Sequence, residues 1–356
     1  MYLPLLSLRT LFYAVRTITW RPKAAFLAMA RMLRNTTGLK RCAKNIAIVP
    51  KGLAMAWVIR QLKPDHVHVH WASTPSSAAF IASEITGTPW SLTAHRWDIG
   101  EANCLSLKAD SASFVRAISE KGSSQIRSRI DPRHHHKVHC IHMGSYLDKD
   151  DAFVGHMSSV EIDDRALSRI LVCPANLLPV KGHVVLLDAC AILMDKGIDF
   201  NCIMFGQGPL RETLEKRSRA LGLSERVEWR GQIPHNDLLS LYAERRVSIV
   251  VLPSITTSDA EEGIPVSLIE AMAAGIPVVS TMTGSIPELL EGNAGLLIPQ
   301  KDPGALAGAM ASLLTDPELY DQLSRNGRAR VQEGFDIKRT TLELLSEFCD
   351  AQDGIS

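Results

Sequence analysis

Glu262-Gly263-Ile264-Pro265-Val266-Ser267-Leu268-Ile269-Glu270 lies between two β-rich runs, Val247–Leu252 and Pro277–Ser280, and reads as a loop feeding a helix. Proline fits the first turn of a helix because its missing N–H has no partner to lose there. The unpaired amides of that turn and the helix dipole favour an anion, and a phosphate suits them. The two carboxylates are eight residues apart, which leaves Glu262 in the loop and sets Glu270 about a turn and a half into the helix. A carboxylate beside the phosphate turn can accept hydrogen bonds from sugar hydroxyls, and the deeper one can chelate the two hydroxyls of a ribose. Taken singly, each is better read as an ordinary glutamate, one in a solvated loop and one in a helix.

Outward from this stretch the same rhythm repeats. In the second half, strand-like Arg169–Pro174, Asn201–Phe205 and Val227–Arg230 alternate with helical His183–Lys196, Leu210–Leu221 and Asn236–Glu244. In the first half, His66–His70, Trp90–Ala94, Ser113–Ile118 and Lys137–Met143 read as strands and Ser76–Ile85 as a helix, and a polar segment near Asp148 to Asp164 separates the halves. Two βα-alternating halves predict two doubly wound, mostly parallel α/β domains, whose ligands sit at the carboxyl ends of the strands. Two further strand-end loops matter for that reason. Leu177-Leu178-Pro179-Val180-Lys181-Gly182-His183 puts a lysine at a helix start, where the dipole disfavours a cation unless an anion such as a diphosphate joins it. Phe205-Gly206-Gln207-Gly208-Pro209 allows close backbone approach to a ligand, but lacks the third glycine of a dinucleotide fingerprint.

Together these segments resemble the retaining glycosyltransferases of the GT-B fold, family 4 (group 1), with the flavour of bacterial exopolysaccharide and colanic-acid-type enzymes. Glu262 and Glu270 match the family's Glu-x7-Glu pair, Lys181-Gly182 its Lys-Gly turn, Gly206 to Pro209 its small glycine loop, and Gly284-Ser285-Ile286-Pro287-Glu288 its Gly-Gly-Ile-Pro-Glu stretch. Thr93-Ala94-His95-Arg96-Trp97-Asp98-Ile99 is similar to the acceptor-domain loop that carries a histidine, and Ile141 to Gly144 to the strand end before the linker. The resemblance implies two Rossmann-like domains facing a central cleft. It implies a hexosyltransferase moving sugar from a nucleotide diphosphate to a saccharide or lipid-linked acceptor with retention, in surface polysaccharide or lipopolysaccharide synthesis, with no protein-bound metal or other cofactor. By the same resemblance His95, Glu262 and Lys181 are catalytic, and Lys181, Asn176, Gly208, Gly263, Ile264, Pro265, Val266 and Glu270 hold the donor, while Asp98 lies on the acceptor side.

Two departures stand out. Asn176 occupies the position where the family usually has an arginine, and the chain opens without the family's first strand and glycine-rich loop, so its N-terminal domain reads as abbreviated or the chain as a fragment. A partner subunit that binds nucleotide without transfer is therefore a second reading, and a GT-B nucleotide-sugar epimerase a third.

The 356 residues carry 39 basic and 38 acidic side chains with 46% hydrophobic residues, which excludes a disordered, collagenous or disulfide-stapled chain. The even charge hides a segregation. Residues 1–64 hold twelve Lys and Arg before the first carboxylate, Asp65, and the remainder has 27 basic against 38 acidic residues. Apolar residues (Leu3, Leu5, Leu6, Leu8, Leu11, Phe12, Val15, Ile18, then Phe26, Leu27, Ala30, Leu33) recur at near-helical spacing among arginines, with Pro22 opening a second segment. Such a basic amphipathic helix pair suits an anionic membrane surface, and equally suits packing on the protein's own domain. Nucleic acid is a weaker partner for an acidic body. Arg9 and Arg16 interrupt the apolar run near the start, so neither a spanning segment nor a secretory signal is expected. Seven scattered cysteines without a Cys-x-x-Cys pair fit reduced thiols, hence a cytoplasmic protein, peripheral at most on the inner membrane face. Alternating His66, His68 and His70 would share one strand face, which a strand bordering a cleft explains better than a metal site. The expected division is a basic arm over 1–45, an acceptor-side domain over 46–160, a nucleotide-sugar domain over 161–335, and a C-terminal helix over 336–356 packing back on the first domain.

Overall fold

The computed structural model describes Pro4, residues 7–147 and residues 169–353. The polar segment at 148–164, the boundary at 160/161, and Leu3, Leu5 and Leu6 lie outside the described residues.

In chain order the elements are α1 (Leu8–Trp20), α2 (Pro22–Arg34), α3 (Leu39–Leu62), β1 (Val67–His70), α4 (Thr74–Thr86), β2 (Trp90–Ala94), α5 (Arg96–Glu101), α6 (Leu105–Ser111), β3 (Val115–Ala117), α7 (Glu120–Arg127) and β4 (Val138–Cys140). There follow β5 (Ile170–Pro174), α8 (His183–Asp195), β6 (Asn201–Phe205), α9 (Arg211–Ala220), β7 (Val227–Gly231), α10 (His235–Ala243), β8 (Ile249–Leu252), α11 (Val266–Ala273), β9 (Val278–Thr281), α12 (Ile286–Leu289), β10 (Leu296–Ile298), α13 (Pro303–Thr315), α14 (Pro317–Gly334) and α15 (Ile337–Asp353). The chain divides into one unit of Met1–His142 with Thr341–Ser356 and another of Met143–Thr340.

The second unit holds a six-stranded, wholly parallel sheet in the order β10-β9-β8-β5-β6-β7. Its central strands are buried from end to end, because helices cover both faces and Ile170–Cys173, Ile249–Leu252 and Val278–Val279 have no polar side to turn outward. Chain direction across the sheet reverses between β5 and β8, the crevice where a doubly wound sheet takes its ligand.

The first unit has a four-stranded parallel sheet, β1-β2-β3-β4. Here one face is polar. His66 Nε2 and His68 Nδ1 each lie 2.7 Å from the Ser91 hydroxyl, and His68 Nε2 lies 2.8 Å from that of Thr93, so both ring nitrogens of His68 are committed to hydroxyls. Phe114, and Phe348 from α15, pack on the same rings.

The described part of residues 1–45 is built into this first unit, but not by the face the periodicity suggests. Thr10, Ala14 and Thr17 of α1 and Ala25, Ala28 and Met32 of α2 point inward, and the Thr17 hydroxyl donates to the Leu53 carbonyl at 2.8 Å. Small residues let the helices approach closely, so the bulky Leu8, Leu11, Phe12, Val15, Ile18, Phe26 and Leu27 are left exposed. A second difference concerns α3, which is long and apolar enough to cross a membrane by length and composition, although only a third of its apolar window is buried. The charges that break its sequence, Lys44, Lys51 and Arg60, hid it from a search for an uncharged run. Its buried Asn45 donates to Asn103 and Thr36 and accepts from Asn103 and Ser77, all within 2.9–3.0 Å, which is the polar anchoring of a domain helix.

Candidate functional site

The expected donor residues fall on the loops at the carboxyl ends of β5, β6 and β8 and on the first turns of α11. Lys181 ends the turn after β5, its Nζ 2.6 Å from Glu262 Oε2 in the loop after β8, and Ser254 donates to the same carboxylate oxygen at 3.0 Å. Two glycines make this assembly possible. Gly182 has φ +68°, and any Cβ would collide with the Pro253 carbonyl; Gly284 has φ +58°, and a Cβ there would strike the Glu262 carbonyl. The loops after β5, β8 and β9 thus touch backbone to backbone, which fixes Glu262 with no side chain as spacer.

Pro265 caps α11 rather than entering its first turn, and the helix begins at Val266. As a proline it has no amide to offer, so the donors of this turn come from its neighbours Gly263, Ile264 and Val266. Helix geometry leaves the first amides of α11 without intrahelical acceptors. Gly208 packs against the Leu177 backbone, and Asn176 is exposed after β5.

Glu270, only 8% exposed, points from α11 into a cavity of about 530 Å3 whose lining includes Tyr146, His235, Tyr242 and Val266, all in the second unit. Burial raises its carboxyl above the usual range, and His235, with Nε2 2.7 Å from Glu270 Oε1, opposes that rise. The buried Tyr242 hydroxyl has no hydrogen-bond partner among the described residues. A buried, unpaired hydroxyl on a cavity wall is costly unless a polar ligand meets it. Sequence reasoning missed His235 and Tyr242, because each becomes informative only through its contact with α11.

His95 and Asp98 belong to the first unit, at the carboxyl end of β2. Asp98 is fully buried, and its Oδ1 accepts from the His95 amide at 2.7 Å, so the carboxylate positions the histidine's backbone. Burial pushes the Asp98 carboxyl up to about 6 and the His95 imidazole down. All seven cysteines are free thiols, with Cys104, Cys173, Cys190 and Cys202 buried.

Two parallel-sheet α/β domains, the second ordered as a doubly wound sheet with its polar loops at the switch point, define the GT-B fold of glycosyltransferases. Residues 163–330 match the family described as Glycosyl transferases group 1. The chain is 36% identical over 180 residues to the putative colanic acid biosynthesis glycosyltransferase WcaL of Escherichia coli (strain K12), covering 49% of this chain and 44% of that protein. It is 36% identical over 163 residues to the amylovoran biosynthesis glycosyltransferase AmsK of Erwinia amylovora, covering 45% and 40%. The matched regions thus span less than half the length of these curated relatives. Among solved structures, Anabaena Alr3699/HepE in complex with UDP superposes with a TM-score of 0.68 at 21% identity, covering 83% of this chain and 82% of that one.

Proposed function

We propose that this protein transfers a hexose, with retention, from a nucleoside diphosphate sugar to a saccharide or lipid-linked acceptor in the synthesis of a surface polysaccharide. The observation that carries the reading is the Lys181–Glu262 pair at the switch point, in the same unit as Glu270 and Tyr242, which line one cavity. The barrier in such a transfer is departure of the nucleoside diphosphate while positive charge grows on the sugar ring. Lys181 and the first-turn amides of α11 stabilise the leaving phosphates, in a direction set before the substrate arrives. The Lys181 ammonium has three donors, so it can keep Glu262 and still meet a phosphate. Glu270 takes the ribose hydroxyls and Glu262 a hydroxyl of the donor sugar, and His95, in the first unit, is kept as a catalytic residue. In this reading the cation that answers the diphosphate is Lys181, and no protein-bound metal takes part.

UDP, which the Anabaena neighbour holds, is the first nucleotide to try. A thermal-shift titration with UDP, GDP, ADP and their sugar derivatives, run beside Glu270→Ala, tests the donor site, since a ligand of the folded state alone must raise its stability. One nucleotide stabilising the parent chain and losing at least tenfold in affinity in the variant supports the assignment. Equal affinity in both overturns the role of Glu270, and binding without turnover on any acceptor favours the partner-subunit reading.

The bulky apolar side chains on α1 and α2, interleaved with Arg9, Arg16 and Lys23, support contact with the anionic inner face of the plasma membrane. Co-sedimentation with phosphatidylglycerol vesicles is expected, falling several-fold in Phe12→Ser/Phe26→Ser. Equal binding of the two chains removes this face from the interaction.

A further inference from the structure

Trp71 follows β1 at the carboxyl end of the strand, with φ +79°. A bulky residue adopts the left-handed region only where its surroundings hold it there, and such positions cluster at functional sites. The hold is extensive. The Trp71 amide donates to the Thr93 carbonyl at 2.8 Å, and the next amide, of Ala72, donates to Asp98. Lys108 Nζ donates to the Ala72 and Ser73 carbonyls, each at 2.7 Å. Asp98 is 0% and Lys108 1% exposed, so two buried ionisable groups fix one turn.

What they hold in place is a half-exposed surface aromatic. The indole is 45% exposed, and its centroid lies 4.4 Å from the His95 ring with the planes 30° apart. A turn needed only for its shape would use glycine at this φ. An indole needed only for the core would be buried.

We propose that Trp71 and His95 form a platform on which a pyranose ring stacks, with Asp98 and Lys108 as positioning residues. The proposal rests on the glycosyltransferase reading and supplies it with a saccharide subsite. The C–H face of a pyranose is apolar and fits an indole face, while its hydroxyls need donors and acceptors at the rim. An uncharged imidazole supplies one of each, and burial of His95 favours that form at neutral pH.

The test uses the full chain and saturation-transfer NMR with the methyl glycosides of glucose, galactose and mannose, beside thermal shifts with UDP and UDP-glucose. Trp71→Gly is the decisive variant, because glycine takes the same backbone conformation without strain. The expected result is at least a tenfold loss of affinity for the glycoside bound best, with the melting temperature unchanged or higher and the UDP response retained. Trp71→Phe is expected to keep most of the affinity. If the glycine variant weakens UDP-glucose but not UDP, the platform holds the donor's sugar; if it weakens only free glycosides, it holds the acceptor. Equal glycoside binding in parent and variant, no glycoside binding to the parent at 50 mM, or a melting temperature lowered by several degrees overturns the proposal. A UDP response with glycosides indifferent to Trp71 defeats the platform alone, and glycosides that depend on Trp71 without any nucleotide response defeat the transferase reading alone.

Discussion

The two units solve the same problem, holding polar side chains at the ends of parallel strands, by opposite means. In the second, an apolar sheet buried on both faces carries loops that meet through glycine backbones, and Lys181 and Glu262 pair where the loops converge. In the first, the sheet has a polar face and the strand-end loop is held by a buried lysine and a buried carboxylate. Steric fixing has no proton to lose, whereas fixing by ionisable groups ties the geometry of the loop to pH.

The sharpest way to break this contrast is to fill one of the backbone contacts. Gly284→Ala is expected to cost roughly 3–5 kcal/mol, as a Cβ driven into a carbonyl in a backbone conformation unsuited to alanine. Urea unfolding followed by fluorescence measures it, and a cost below 1 kcal/mol would show that the loops yield. Lys181→Ala removes the charge and leaves Glu262 without its ion partner. It should lower kcat by about 10²–10³, by analogy with lost oxyanion donors, and a full-rate variant would move the phosphate site elsewhere.

The smallest of the three effects probes the first unit alone. Burial lowers Lys108 from 10.5 to about 7. Between those values the unfolded chain binds more protons than the folded one, so stability rises with pH. Lys108→Met should abolish that alkaline gain, a few kcal/mol in the parent. His68, lowered by burial to about 4, acts with the same sign in a more acidic window, withdrawing stability as pH falls from 6.5 towards 4. A parent chain whose stability is flat from pH 7 to 10 would mean that Lys108 reaches water.

Much of the second unit is legible in its sequence. The span expected for Asn201–Phe205 matches the strand and that for Arg169–Pro174 differs from it by one residue, because buried parallel strands are apolar almost without interruption. The paired glutamates and Lys181 are legible only as a set, through their match to a family pattern, since each taken singly reads as a solvated side chain. Glu270's partner His235 and the Tyr242 hydroxyl could not, as neither spacing nor composition shows which helix will face α11. Lys108 follows Leu105 and Leu107 in a short helix and looks like an ordinary solvated lysine; only the carbonyls of a loop 35 residues away make it a strut. In α1 and α2 the periodicity was readable and its sense was not, because period alone cannot tell which of two faces turns inward when one is lined by alanine and threonine.

That last inversion has an evolutionary side. Along α1 and α2, tolerance to substitution runs against side-chain size. Ala14, Ala25 and Ala28, the least conspicuous residues of the segment, are the ones that cannot grow, since even one extra methylene would push the helices off the domain. Phe12, Phe26 and Leu27 are free to drift as far as folding is concerned, so the sequence of this face records selection by whatever touches it.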